Sequence, residues 1–246
     1  FHCSFDAEDE GLIYGSQMNE MIKDERIGMY DYDPQLPLYT MWDLGIDDDM
    51  VIIFFQLKGN AIVVVDHYAN NNKGLKWYWT DILVPMMTDK GYRYEEHFAP
   101  HDISVREQCT QDENGDAMTR LDSARAWGME FTKFDRVKRI WDRIEVCRGM
   151  MKRIRINAKC EKLVQCVSSY SKRVNKAQST EETTIYDPKP DHNWASHSAD
   201  AFGEMCRLIK QGLCGRSSSL STLQQQVDVI NNPIFTGSSE VYDPFA

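Results

Sequence analysis

Long apolar runs are missing from this sequence. No stretch approaches the ~18 consecutive apolar residues of a membrane-spanning helix, and the chain does not open with the basic and then apolar segments of a secretory signal. Apolar residues make up 42% of the 246 residues and charged residues 27%, which is typical of a soluble globular protein. We therefore expect a protein that is neither secreted nor attached to a membrane.

Motifs built on cysteine or on a phosphate-binding loop are missing too. The seven cysteines are odd in number and include no C-x-x-C pair, which argues against a disulfide framework and a structural zinc site. No G-x-x-x-x-G-K-[ST] is present, and GLCGRSSS at residues 212–219 lacks that motif's lysine and preceding strand. We expect a reducing environment and no ATPase site in this chain.

Basic residues are outnumbered by acidic residues overall but are concentrated in one segment. The chain has 28 Lys and Arg against 38 Asp and Glu, a net charge of −10. Residues 133–176 hold 14 of the basic residues and 4 of the acidic ones, a local balance of +10, which leaves −20 for the rest. Such asymmetry indicates contact with a polyanion, although a solvated helix face beside acidic neighbours is the simpler explanation before any motif is considered.

The pattern of apolar residues divides the chain into three parts. Residues 1–37 are acidic and predict an extended leader, while residues 216–246, rich in Ser, Gln and Asn, predict a flexible tail. Residues 38–68 predict three strands in an antiparallel meander, since a Gly-Asn turn joins two of the apolar runs. Helices are predicted at 74–90, 121–129, 136–150, 158–170 and 194–210, and a strand at 92–102. This order predicts an α/β fold with a mixed central sheet flanked by helices.

Three aspartates lie where carboxylates are unusual. Asp43 is inside the first predicted strand, Asp102 ends a later strand, and Asp200 lies among small and apolar residues of the last helix. Brought together, they would repel one another unless a divalent cation supplied the missing charge, and oxygen ligands suit Mg²⁺ or Mn²⁺. Each also has an ordinary explanation: a turn cap at Asp43, a helix N-cap at Asp102 and a solvated position at Asp200.

Three stretches give these aspartates a shared context: LYTMWDLGIDDDMVIIFFQ, HFAPHDISVRE and HNWASHSADAF. Together and in this order they resemble the nuclease domain of the large terminase subunit of tailed bacteriophages, over about residues 3–202. The resemblance implies a ribonuclease H-like fold, whose sheet begins with a three-strand antiparallel meander. It also implies a metal-dependent endonuclease that cuts concatemeric double-stranded viral DNA during genome packaging, with Asp43, Asp102 and Asp200 as the metal-binding and catalytic carboxylates.

The resemblance extends to cofactors and partners. It implies Mg²⁺ or Mn²⁺, as two ions, and action in the cytoplasm of an infected bacterial host. The implied partners are double-stranded DNA, the portal protein, the small terminase subunit and an N-terminal ATPase motor that this chain does not contain. Residues 1–37 would then be the linker from that motor, residues 38–215 the nuclease domain, and residues 216–246 a tail that docks to the portal.

Four further positions lie within these stretches or directly after one of them. Asp47 is a candidate fourth acid, although a solvated turn is the simpler interpretation. His101 and His197 adjoin the carboxylates and could orient ligands or substrate, although a structural role is the simpler interpretation. Gly203 stands where the family often has an arginine after ADAF, which puts a basic contact there in doubt.

The basic segment gains a role in this context. Arg136, Arg139 and Arg143 are candidates for contacts with DNA phosphates, which give affinity that is independent of sequence and falls with salt. Three other functions stay open: a ribonuclease H-like resolvase or recombinase, a non-catalytic portal-docking module, and a domain that a metal stabilises without catalysis.

Overall fold

A computed structural model of the protein shows a seven-stranded mixed sheet between two layers of helices. It describes residues 10–45, 49–111, 114–135, 137–180 and 182–214, and of residues 107–111 the backbone alone. The strands are β1 (Ile27–Gly28), β2 (Leu38–Asp43), β3 (Met50–Lys58), β4 (Ala61–Asn70), β5 (Tyr94–Pro100), β6 (Arg106–Gln111), β7 (Ala117–Thr119), β8 (Phe131–Phe134), β9 (Ile154–Asn157), β10 (Lys172–Val174) and β11 (Tyr186–Pro190). The helices are α1 (Gly15–Lys23), α2 (Leu75–Trp77), α3 (Val84–Asp89), α4 (Arg120–Ala126), α5 (Ile140–Met150), α6 (Glu161–Ser169) and α7 (Ser196–Lys210).

The central sheet has the order β1-β9-β4-β3-β2-β5-β8. The predicted antiparallel meander is confirmed, since β3 pairs antiparallel with both β2 and β4. Parallel strands extend the sheet on both sides, with β5 and β8 beyond β2 and with β9 and β1 beyond β4. The mixed, ribonuclease H-like α/β fold that the resemblance implies is therefore confirmed.

Helices cover both faces of this sheet. β3 is buried from Met50 to Gln56, as its continuous apolar run predicts for a central strand. Side chains alternate along a strand, so Tyr39, Met41 and Asp43 of β2 share one face. That face packs against α1, α5, α6 and α7, while α2, α3 and α4 cover the opposite one. Asp43, at the end of β2, therefore lies on the face that carries α7.

The helical segment predicted at residues 74–90 is present but irregular. A π-helical turn, Tyr78–Leu83, separates α2 from α3. Pro85 lies in the first turn of α3, where its missing N–H leaves an earlier carbonyl without the regular partner. The widened turn before it accommodates this loss, so Pro85 does not end the segment.

The first described residues correct the prediction of an extended leader. Residues 15–23 form α1, and Tyr14, Met18 and Met21 are fully buried in the core beneath it. β1 adds a short parallel strand next to β9. The three buried residues recur at helical spacing, but most of their neighbours are polar, so burial here depends on a few large side chains rather than on a long apolar stripe.

Several expectations fall on residues that the structure does not describe. Arg136, Asp47, residues 1–9 and residues 216–246 lie outside the described ranges. Within those ranges, no helix combines the length and the apolar character that crossing a bilayer requires.

Candidate active site

Two of the three predicted carboxylates meet in one cleft. Asp43 ends β2, and Asp200 lies in the second turn of α7, which packs across β2 and β3. Both line a cleft of about 570 Å³, together with Pro100, Lys138 and Glu204. Their side chains are 27% and 30% exposed, respectively. The fold thus places two half-buried carboxylates from distant segments at the same end of the sheet.

Asp102 lies next to this cleft in the topology but is not among the residues that line it. It belongs to a single 3₁₀ turn, His101–Ser104, that follows β5 directly. β5 runs parallel to β2, with Met41 opposite Phe98. Asp43, the last residue of β2, and Asp102, just after β5, therefore lie at the same edge of the sheet. The assignment of Asp102 as a third metal ligand stays a prediction.

The Asp200 carboxylate is held by two side chains from other elements. Arg143 of α5 forms an ion pair with Oδ1 through Nη2. The hydroxyl of Tyr170 donates a hydrogen bond of 2.7 Å to the same oxygen. Arg143 also reaches Glu204 Oε1 with Nη1 at 3.4 Å, and Glu204 in turn pairs with Arg207 at 2.6 Å. Asp200 is therefore fixed by a network that joins α5, α7 and the residue that follows α6.

This network gives Arg143 a role within the protein at the wall of the same cleft, and the expectation that Arg143 contacts DNA stays a prediction. Its side chain is only 8% exposed and is committed to Asp200 and Glu204. Burial opposes its charge, but Asp200, Tyr170 and Glu204 together raise the pKa of Arg143. The guanidinium therefore stays protonated at the wall of the cleft, where it pairs with two carboxylates.

The carboxylate of Asp200 experiences opposing influences. Burial raises its pKa and the nearby Asp43 adds to that rise, while Arg143 and Tyr170 lower it, and the net direction is upward. The remaining destabilisation of the charged form has two physical causes: loss of water and repulsion by a second carboxylate.

Gly203 is what allows Arg143 to lie against α7. A Cβ at this position would come within 3.1 Å of Arg143 Cδ and 3.2 Å of Cγ and Nε. The family arginine that the resemblance leads one to expect after ADAF is absent, and an arginine from α5 lies over this position instead. The glycine in ADAFG was the available sequence signal for such a close approach.

His197 contacts the site, although a structural role was the simpler interpretation of the sequence. Its Nδ1 lies 3.1 Å from Asp43 Oδ2, and its ring packs edge-on against His192, with centroids 5.2 Å apart. His197, Asp200 and Glu204 recur at spacings of three and four along α7, which places them on one face of the helix. That spacing was the signal by which the sequence could have found Glu204.

Comparison with solved structures supports this arrangement at the level of the fold. The large terminase of the thermophilic bacteriophage D6E aligns over 81% of this chain with a TM-score of 0.57 and 17% identity. The nuclease domain of the P22 large terminase aligns over 80% of this chain and 93% of its own length, with a TM-score of 0.50 and 15% identity. The fold is that of a large-terminase nuclease domain.

The likeness to large terminases is structural. No family model and no curated protein matches this sequence. The chain spans about 45% of the length of the D6E large terminase. The comparison therefore establishes the terminase nuclease fold, and the chemistry depends on this chain's own residues.

The donor set at the end of the terminase nuclease sheet fits a divalent cation. Within the described ranges, no three His, Cys, Asp or Glu side chains converge closely enough to hold a metal by themselves. Mg²⁺, however, commonly takes one or two protein carboxylates and completes its shell with water and substrate phosphates. Asp43 and Asp200 supply such a pair in a partly solvated cleft.

The basic segment contributes two cations, Lys138 and Arg143, to the lining of this cleft. Arg139 has a side chain that is 80% exposed and pairs with Asp142 at 3.2 Å, but it does not line the cleft. Other cations of the segment are bound within the protein: Arg148 donates to Ile13 O, and Arg153 to Asn60 O. Lys138, which the sequence did not single out, does line the cleft beside Asp43.

Proposed function

We propose that this chain is a metal-dependent endonuclease that cuts concatemeric double-stranded viral DNA during genome packaging. The observation that carries the proposal is the meeting of Asp43 and Asp200 in one cleft at the end of a terminase nuclease sheet. Similarity of fold to the D6E and P22 proteins supports the packaging context. Phosphodiester hydrolysis is the reaction that such a carboxylate pair serves.

The proposed mechanism assigns a role to each side chain of the cleft. Asp43 and Asp200 would hold Mg²⁺ or Mn²⁺, and Asp102 is the ligand expected to join if two ions are bound. A metal held there would supply a water molecule of lowered pKa and would offset charge on the scissile phosphate. His197 fixes the orientation of Asp43, which is the role of groups that support metal ligands. Lys138 attracts a DNA phosphate to the cleft.

The wider assembly is part of the same proposal. Large terminases provide the precedent for an ATPase motor on the same polypeptide, with the portal protein and the small terminase subunit as partners in the host cytoplasm. Residues 216–246 are proposed to dock to the portal. A protein without residues 216–246 should keep plasmid nicking and lose binding to the portal.

Nicking of supercoiled plasmid tests the function directly. The wild-type protein should nick with Mg²⁺ or Mn²⁺ and not with EDTA, and Asp43→Asn should reduce the rate by roughly a hundredfold or more, because a metal ligand is removed. Asp142→Asn, which removes an exposed carboxylate on α5, is the matched control and should nick at the wild-type rate.

Two results would count against the proposal. No metal-dependent nicking by the wild-type protein would favour a portal-docking module or a domain that a metal merely stabilises. A strong preference for a four-way junction over linear duplex would instead indicate a resolvase.

A further inference from the structure

A second cleft, of about 520 Å³, opens where the start of α2 faces α4. We refer to it as the basic cleft and define it by Leu44, Lys73, Lys76, Arg120 and Trp127, which line it together with Asn72. The described residues that line it include three cations and no Asp or Glu. In a chain with a net charge of −10, a concave surface of this sign attracts an anionic ligand.

The basic cleft adjoins the cleft that Asp43 and Asp200 line, which we refer to as the carboxylate cleft. Leu44 lines both of them, and it follows Asp43 directly in the chain, with consecutive Cα atoms about 3.8 Å apart. The two clefts lie on opposite faces of the sheet and meet at Leu44, so a polyanionic strand that lies along the basic cleft passes the end of β2 where Asp43 lies. This continuity distinguishes the cleft from an isolated group of surface lysines.

Aromatic rings orient two of the cations. Lys73 Nζ lies 5.2 Å from the ring centroid of Trp77, and Lys76 Nζ lies 6.0 Å from that of Trp127. A ring face holds an ammonium group in place without removing its charge. Cations held in this way lose less side-chain freedom when a phosphate binds, which favours binding.

We propose that the basic cleft binds the phosphodiester backbone of duplex DNA beside the cleavage site, an inference that rests on the proposed nuclease function. Lys73, Lys76 and Arg120 contact phosphates of the DNA that extends from Asp43. The cations come from two segments outside the basic stretch of residues 133–176.

Binding of a fluorescein-labelled 30-base-pair duplex, followed by anisotropy in EDTA over a range of KCl concentrations, tests the inference. Compared with the wild-type protein, the triple variant Lys73→Gln, Lys76→Gln and Arg120→Gln should raise Kd roughly tenfold or more at low salt. The slope of log K against log[KCl], which is negative, should become less steep by about 2.7, at about 0.9 for each phosphate that the protein no longer neutralises. Urea unfolding of each variant establishes that the fold is retained.

A variant with the same change in net charge serves as the matched control. Lys23, Lys58 and Lys152 are exposed, and Lys58 lies at the β3–β4 turn, at the opposite end of the sheet from Asp43. Replacing these three by glutamine should leave the salt slope close to the wild-type value. An equal effect of both triple variants, an unchanged slope in the cleft variant, or no wild-type binding at low salt would overturn the inference.

The inference and the nuclease proposal fail separately. If the wild-type protein nicks plasmid but the cleft variant binds duplex normally, the inference is wrong and the nuclease proposal stands. If the cleft variant loses binding but the wild-type protein never nicks with any metal, the cleft is a DNA site on a protein that is not a nuclease.

Discussion

Arg143 and Gly203 form the contact that most constrains the carboxylate cleft at the scale of single residues. Arg143 is held at one end by Asp200 and Glu204, so its stem has little freedom to move away from α7. A glycine inside a helix normally costs stability relative to alanine. At position 203, however, a larger residue would place its Cβ against the aliphatic part of the Arg143 side chain, so glycine fits best.

The first prediction compares two glycines in helices. Gly203→Ala should lower the free energy of unfolding by about 1–3 kcal/mol, since the added methyl overpacks a pinned side chain. Gly149→Ala in α5, where a Cβ would meet no atom within 4 Å, should raise it by up to about 1 kcal/mol. Urea denaturation measures both, and a gain in stability at both positions would contradict the contact.

A buried histidine predicts how stability depends on pH. Burial lowers the pKa of His97 to about 3, from an ordinary value of 6.5. Below pH ~6.5 the histidine therefore binds a proton in the unfolded chain but stays neutral in the folded protein. Because the unfolded state binds more protons, the free energy of unfolding falls as pH drops from about 6.5 towards 3. The contribution of His97 is about 1.4 kcal/mol per pH unit within that window.

Urea unfolding between about pH 7 and pH 5 measures this contribution. In His97→Gln the decline in stability with falling pH should be shallower than in the wild-type protein by that amount per unit. His101→Gln, at a side chain that is 55% exposed, is the matched histidine-to-glutamine control. An identical pH dependence in His97→Gln and the wild-type protein would show that His97 binds its proton equally well in the folded and the unfolded protein, which would contradict the prediction.

Helix α1 is the element whose role the structure changes most. It was expected to be part of an extended leader, yet Met18 and Met21 are 1% and 0% exposed and pack into the core with α5 and α6. Arg148 of α5 donates two hydrogen bonds to the carbonyl of Ile13, at 3.0 and 2.7 Å. The segment therefore stabilises the same helical layer that carries Asp200.

Truncation of the buried face of α1 tests this role. Met18→Ala or Met21→Ala should each cost about 2–5 kcal/mol of stability, because both leave a cavity in a closed core. Ile22→Ala on the same helix removes a side chain that is 58% exposed and should change stability by less than about 0.5 kcal/mol. Equal, small effects at all three positions would restore the interpretation of an extended leader.

For the whole molecule, the uneven charge along the chain is partly offset by contacts within the fold. Among the described residues, cations of residues 133–176 are used inside the protein, as with Arg143, or in surface ion pairs, as with Lys162 and Asp49 at 2.7 Å. The cations of the basic cleft come from residues outside that segment. Charge counted along the sequence therefore predicted a polyanion ligand, and the cleft proposed to bind it depends on cations that this count did not single out.

Metal binding should appear as a change in the stability of the entire fold. At a hundredfold excess over its Kd, Mg²⁺ or Mn²⁺ should add about 2.7 kcal/mol to the wild-type protein, and Tm should rise by several degrees relative to EDTA. The increment should vanish in the double variant Asp43→Asn, Asp200→Asn and persist in Asp142→Asn. A metal-dependent rise of equal size in the double variant would place the ion elsewhere.

The sequence by itself determined the central meander and the helices α5, α6 and α7, because apolar periodicity is a local property that persists in the fold. It also identified Asp43 and Asp200 as carboxylates in unusual settings. Tertiary structure alone decided that these two share a cleft while Asp102 lies beyond it, that Arg143 holds Asp200, and that α1 joins the core. Each of these depends on contacts between segments far apart in the chain, and such contacts leave no periodic signal in the sequence.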